Sequence, residues 1–298
     1  MRSRLKDNLW GWFFVLPTLT GIIILNIYPI IRTFWQSFHR VGDFGRGNEF
    51  VGLDNYTRLF AGGPFGGGVI WQATYNTLLY TALVVPISIA IGLVLAVFLN
   101  GPIRGRTVFR TIYFLPMVVA PAAIAMIWRW LFNPQFGLIN VVFGVDVHWV
   151  TAGGSYIPLI SLAIIGIWSV IGYNMILFLA GLQTIPRDYY EASSIDGATG
   201  IRQFFNITVP LISPMMFFVT VTSVMATMQM FDTVFMMIGA TGNPAMPRTQ
   251  TLVFLFYRLA FMERNWGRGA VVVVWLMAII ALFTLIQFII QKKWVHYE

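Results

Sequence analysis

The sequence predicts an all-α polytopic membrane protein with six transmembrane helices, and three observations carry that expectation. The chain has 298 residues, of which 58% are hydrophobic and only 10% charged. Its apolar residues gather into runs of 20 or more instead of alternating with polar ones, and a bilayer core of ~30 Å needs ~20 helical residues to cross. No cysteine is present, so disulfides and thiolate metal sites are excluded. The net charge of +8 is spread over short flanks of apolar segments. In that setting basic residues set topology or meet anionic lipid, and no nucleic-acid site is read from them.

The first span is read over Leu9 to Phe38, preceded by Arg2, Arg4 and Lys6. It is too long for a cleaved leader, contains Pro17 and lacks a small-residue cleavage site, so a retained span is expected. The second runs from Leu78 to Leu99, the third from Val108 to Leu131 and the fourth from Ile157 to Leu182. The fifth, Leu211 to Ile238, reaches about 42 Å at ~1.5 Å per residue and should tilt or protrude. The sixth is Ala270 to Ile290. TLVFLFYRLAF, 251–261, is apolar but too short to cross and is interrupted by Arg258, so a short helix lying at the outer interface is expected. No fixed-period repeat or long linker divides the chain, which reads as one domain over 1–298.

Six spans place both termini on one side. The cluster Arg2, Arg4, Lys6 and the tight loop carrying Arg104, Arg106 and Arg110 argue that this side is the cytoplasm. Arg187, Arg202, Lys292 and Lys293 fall on the same side, whereas Arg248, Arg258, Arg264 and Arg268 fall outside, so orientation rests on the first two clusters. The outer loops are then 39–75, with its AGGPFGGG run at 61–68, 132–156 and 239–269.

Missing motifs narrow the function. The lysines are Lys6, Lys292 and Lys293, and none follows G-x-x-x-x-G, so the chain lacks the loop that cradles nucleotide phosphates. The histidines, His39, His148 and His296, lie outside the spans, and neither H-E-x-x-H nor G-x-S-x-G occurs. An ion-coupled carrier keeps a titratable group deep in the membrane. The only acidic residue within a span here is Asp232, and counting from Leu211 puts it about 31 Å along, toward the outer end.

The largest inner loop joins spans four and five and contains YYEASSIDGATG, 189–200. Pro186 to Asp188 can start a helix, Tyr189 to Ile195 can form two turns, and Gly197 or Gly200 can end or bend it. IRQFFNITV begins a second helix whose Phe204, Phe205 and Ile207 face apolar surroundings, until Pro210 turns the chain into span five. The expected shape is a helix-bend-helix bracket between spans four and five.

This loop resembles the EAA motif of the inner-membrane permeases of binding-protein-dependent ABC importers. Glu191 and Ala192 match, Gly197 falls at Glu+6, Ile207 at +16 and Pro210 at +19, while Ser193 replaces the second Ala and Val209 replaces Leu. The carbohydrate-type subgroup is similar along most of the chain: in FVLPTLTGIIILNIYPIIRTFWQSF at 14–38, FVGLDNYTRLF at 50–60, YFLPMVVAPAAIAMIWRWLFNPQFGLIN at 113–140 and IPRDYYEASSIDGA at 185–198. GATGNPAMPRTQTL, 239–252, departs from it.

The resemblance implies a multi-pass protein of a bacterial or archaeal cytoplasmic membrane that imports a sugar or sugar-like solute by alternating access. Its implied partners are a second related permease, two ATP-binding-cassette subunits that hold ATP and Mg, and an extracytoplasmic solute-binding protein; the chain itself holds no cofactor. The loop would couple to an ATPase subunit through Glu191, Ala192, Ser193, Asp196, Gly197, Ile207 and Pro210. Glu191 would make a charge-assisted contact, Ala192 and Ser193 would allow close approach, and Gly197 would supply the bend. The competing reading is an ATP-independent carrier or channel. Along the path, Trp168, Tyr173 and Asn174 in span four and Gln229 and Asp232 in span five suit a sugar, which offers C–H faces to aromatics and hydroxyls to amides and carboxylates. Packing for Trp168 and Tyr173 and an interhelical hydrogen bond for Asn174 fit equally well.

Overall fold

The computed structural model describes residues 2–41, 48–63, 66, 68–239 and 242–295, with the backbone alone for 2–10. Parts of the Gly-rich run 61–68 and of the last outer loop, the side chains of Arg2, Arg4 and Lys6, and His296 lie outside what is described. The chain is almost entirely helical; among the described residues the one sheet is the antiparallel pair β1 (His39–Arg40) and β2 (Glu49–Phe50). Among the described residues, five helices are long and apolar enough to cross a membrane, six if one sharply bent pair counts as a span.

Span one is α1 (Arg2–Ile22), a π-helical stretch Ile23–Ile27 and α2 (Tyr28–Ser37). Only α2 packs on the rest of the chain, against α16 (Trp266–Trp294), and residues such as Phe14, Ile24 and Leu25 are left facing outward. The short α3 (Asp54–Phe60) follows β2. Span two, α4 (Val69–Asn100), begins well before the expected Leu78. VIWQATYNT looks too polar to cross, yet the helix absorbs it because its polar groups find partners. Thr77 Oγ1 accepts from the Leu252 amide at 3.0 Å, and Asn76 Nδ2 donates to Pro247 and Gln250 carbonyls at 3.0 Å each.

Span three departs from its expected straight course. It is α5 (Arg106–Val118) and α6 (Pro121–Leu131), bent by 100°. Ala120 is extended, at ψ 134°, as the residue before a proline prefers, and Pro121 restarts a helix from its first turn. A short α7 (Leu138–Phe143) leads to α8 (Ile157–Leu182), whose ends are those the sequence predicts.

Span five is broken as well. After α9 (Asp188–Ile195), α10 (Gly200–Gln203), a π-helical stretch Phe204–Thr208 and α11 (Val209–Leu211) come α12 (Ser213–Met228) and α13 (Asp232–Ile238). Next are α14 (Met246–Thr249), α15 (Leu252–Tyr257) with a π-helical end Arg258–Met262, and α16. The 252–262 segment, expected as a short helix lying at the outer interface, is a short helix that the bundle covers. Leu252, Phe254, Leu255 and Ala260 are buried, packed between α4 and α16, because both of its faces carry apolar residues.

The heart of the bundle is the pair α4 and α8, which run side by side in the same direction. Tyr75 meets Tyr156 at one end, Tyr80 meets Gly166 midway, and Leu93, Ala96 and Leu99 join Met175, Phe178 and Leu182 at the other. Small residues allow the approach: a Cβ on Gly92 would stand 2.9 Å from that of Asn174.

Candidate functional site

Two places hold most of the residues singled out from the sequence. The first is the bracket at the Leu182 end of α8. Asp188 and Glu191 lie in the first turn of α9, where carboxylates suit the helix dipole. The helix ends by a left-handed glycine cap: Gly197 has φ +74°, its amide bonds the Ser194 carbonyl at 3.1 Å, and the Ala198 amide bonds that of Ser193 at 2.9 Å. Any side chain at 197 would be held in a conformation that only glycine adopts cheaply.

Gln203 braces the arms. Its Nε2 donates to Ser193 Oγ at 3.0 Å, Ser194 Oγ at 2.9 Å and the Tyr190 carbonyl at 3.3 Å, and the Tyr190 hydroxyl meets Thr208 Oγ1 at 3.0 Å. Ser193, where the EAA motif has alanine, thus gains a use as an acceptor. Gln203, Tyr190 and Thr208 were not among the residues read from the sequence, since polar side chains bonding across a bend have no fixed spacing. Glu191, Ala192 and Asp196 are exposed, Ser193, Ile207 and Pro210 half-buried. Phe204 packs toward the spans, but Phe205 is 63% exposed, contrary to expectation. Its neighbour Phe204 already fills the place under the bend. With Ile195 at 88% and Ile201 at 75% exposed, the bracket leaves large apolar side chains uncovered.

The second place is a cavity of about 390 Å³ between the two broken spans and the α4–α8 pair. Its wall includes Val119 and Pro121 at the break in span three and Gln229, Met230 and Phe231 at the break in span five, facing Tyr80 and Val84 of α4 and Gly166 and Ser169 of α8. Helix breaks at membrane depth are tolerated where they line a cavity, because the carbonyls and amides released there need partners.

Asp232 and Gln229, two of the five path candidates, both line this cavity. Asp232 shares the cavity wall with Tyr80 and Val84 of α4 and Gly166 and Ser169 of α8. Gln229 Nε2 is turned onto the Met225 carbonyl at 3.0 Å, leaving its oxygen as an acceptor. The span-four candidates lie elsewhere. Trp168 stands edge-on to Trp128 at 5.7 Å, Tyr173 is half-buried, and neither lines the cavity. Asn174 is 1% exposed and donates to Ser88 Oγ at 3.3 Å, so its amide joins α8 to α4. Tyr80 and Ser169 were missed. Tyr80 had a signal, since Gln72, Asn76, Tyr80 and Ser88 form a polar stripe at helical spacing along an otherwise apolar span.

Residues 88–296 match the family described as binding-protein-dependent transport system inner membrane component. The chain belongs to this family. The permease is 35% identical over 288 residues to the sn-glycerol-3-phosphate transport system permease protein UgpA of Yersinia enterocolitica, covering 96% of this chain and 95% of that one. It is 35% identical over 298 residues to the UgpA of Pectobacterium atrosepticum, covering 100% and 99%. Among solved structures it resembles a bacterial alginate ABC transporter in complex with alginate pentasaccharide-bound periplasmic protein. The TM-score there is 0.82 at 19% identity, over 98% of this chain and 97% of that one, a likeness of fold. The permease is a multi-pass inner-membrane subunit of an ABC importer and not an enzyme; ATPase activity lies in partner subunits.

Proposed function

We propose that the permease forms half of the path of an ATP-driven importer for a sugar or sugar-like solute, with a second related permease, two ATPase subunits that bind ATP and Mg, and an extracytoplasmic binding protein. The termini and the bracket face the cytoplasm, spans three and five cross as single broken helices, and the bracket docks in a cleft of an ATPase subunit. Glu191 takes the charge-assisted contact, Ala192 and Ser193 the close approach, Gly197 and Asp196 the bend, and Ile207 and Pro210 the join to span five.

The observation that carries this reading is the bracket itself: a braced bend on which Glu191 is exposed and makes no ion pair among the described residues, and on which Ile195, Ile201 and Phe205 are uncovered, as a protein partner requires. The relatives' printed substrate, sn-glycerol-3-phosphate, and the alginate of the structural relative make a polyhydroxylated, acidic solute the favoured cargo. Its hydroxyl-bearing part would sit in the 390 Å³ cavity against Tyr80, Gln229 and Asp232, with its acidic group held away from Asp232, and with Trp168, Tyr173 and Asn174 serving as packing.

The test is purification of the permease with its partners, followed by uptake and ATP hydrolysis in proteoliposomes. Glu191→Ala should lower uptake about tenfold or more, as loss of one charge-assisted interface contact does, while the complex's unfolding temperature stays within about 2 °C. Unchanged uptake with no ATPase in the purified complex would refute the reading.

A further inference from the structure

A second cavity, about 310 Å³, lies at the end of the bundle away from the bracket, between the start of α4, α14 and the turn at Arg258. Two guanidinium groups line it, those of Arg248 and Arg258, together with the amides of Gln72 and Gln250. Among the described residues one carboxylate is in ion-pair range of them: Glu263 Oε1 stands 3.2 Å from Arg258 Nε. Arg248 has no acid in ion-pair range among the described residues. It is nonetheless held in place, donating to the Tyr156 hydroxyl with its guanidinium carbon 4.8 Å from the centre of that ring.

Four acceptors around the cavity are already engaged. Gln250 Oε1 takes Arg258 Nη1 at 3.1 Å, Asn76 Oδ1 takes Gln72 Nε2 at 2.9 Å, and the Pro247 and Gln250 carbonyls take Asn76 Nδ2. Gln250 is 4% exposed, yet its Nε2 donates to nothing. What remains is a surplus of donors and one uncompensated positive charge in a recess. A buried donor and a half-buried cation both cost free energy until an acceptor of opposite charge arrives. A guanidinium fork held by stacking is the group that takes a planar carboxylate or a phosphate by two parallel bonds.

We infer that the Arg248–Arg258 cavity is a binding site for a single oxyanion group, phosphate or carboxylate. Two sources fit that chemistry. Trp71, Trp275 and Phe60 cluster beside the cavity with ring centres 5.0–5.8 Å apart, the kind of aromatic group that marks a membrane interface, where lipid phosphates lie. The stripe Gln72, Asn76, Tyr80 also runs from this cavity to the central one, so the acidic group of an arriving solute is the other source. That second arm rests on the importer reading; the oxyanion site does not.

The experiment follows the thermal unfolding midpoint of the purified complex in non-ionic detergent as sodium phosphate replaces sodium chloride at constant ionic strength. Phosphate should raise the midpoint with saturation, as a ligand of the folded state does, and Arg248→Gln should weaken half-saturation about tenfold. Arg248→Lys, which keeps charge but loses the fork, should fall between. Retention of phosphatidylglycerol, read by native mass spectrometry, separates the sources. Loss of the bound lipid in Arg248→Gln assigns a headgroup, and a response to phosphate and glycerol phosphate without lipid retention assigns the solute. If neither phosphate nor phosphatidylglycerol acts on the wild-type complex beyond chloride, the inference falls, whether or not the variant folds. A complex lacking an ATPase but still responding to phosphate would sink the importer reading and leave this one standing.

Discussion

Spans two and four cross as unbroken helices and pack together along their length, whereas spans three and five each break beside the same cavity. Both groups contain proline: Pro86 sits inside α4 without interrupting it, while Pro121 follows an extended Ala120 at a 100° bend. Proline alone therefore does not decide where a span breaks. In α4 the helix continues because α8 holds it on one side along its length. At Ala120 the chain can turn because α6 finds an alternative seat against α13, and the released backbone groups open onto a cavity. The continuous pair acts as a frame, and the broken pair supplies the irregular backbone around which a solute can be held.

The most severe way to disturb this arrangement is where the frame meets the lower half of span three. A Cβ on Gly172 would stand 1.9 Å from the Tyr113 carbonyl oxygen, a backbone atom that cannot swing aside. Gly172→Val should cost about 3 kcal/mol or more, seen as a large fall in the unfolding midpoint of the purified complex. A midpoint unchanged within error would mean α5 is not seated on α8 as described. A smaller effect is expected inside the frame. Asn174→Ala should remove roughly 1–2 kcal/mol, from one interhelical hydrogen bond and a small void, while uptake at saturating solute stays as it was. Lost uptake at full stability would move Asn174 from the frame to the path. The smallest effect is expected at the break itself. Pro121→Ala should change stability by less than about 0.5 kcal/mol, because packing and not the ring holds the bend. Spin labels at positions 106 and 131 that move apart in this variant would instead assign the bend to the proline.

How far the sequence could be read depended on whether the deciding interaction was local. Span four was legible to the residue because a uniform apolar run ends at Gln183 on one side and begins after Tyr156 on the other. The helix-bend-helix shape was legible because caps and glycines are short-range features, and of the two glycines expected to end or bend the helix it is Gly197 that adopts the left-handed conformation. The bend in span three was not, since hydropathy records how apolar a segment is and carries no direction. Nor was the burial of 252–262, which depends on α4 and α16 leaving a groove for it. In the central cavity, Gln229 and Asp232 stood out as rare polar residues in an apolar run. Tyr80 did not, because its hydroxyl matters only where Gly166 and the two breaks bring it to an open space.

The bracing of the bracket by Gln203 has a mechanical corollary. Its elbow is triangulated by three hydrogen bonds from one amide and locked by the glycine cap, so it resists opening. Beyond it the chain enters span five through the wide turns of Phe204–Thr208, whose i to i+5 bonding is the least favoured helical geometry in the segment. Stiffness at the elbow and compliance at the wrist are in series, and under load the softer member deforms first. Under the docking proposed above, a displacement applied at Glu191 would reach span five through a spring, which would spread the stroke over time and tolerate small misfits between the moving parts.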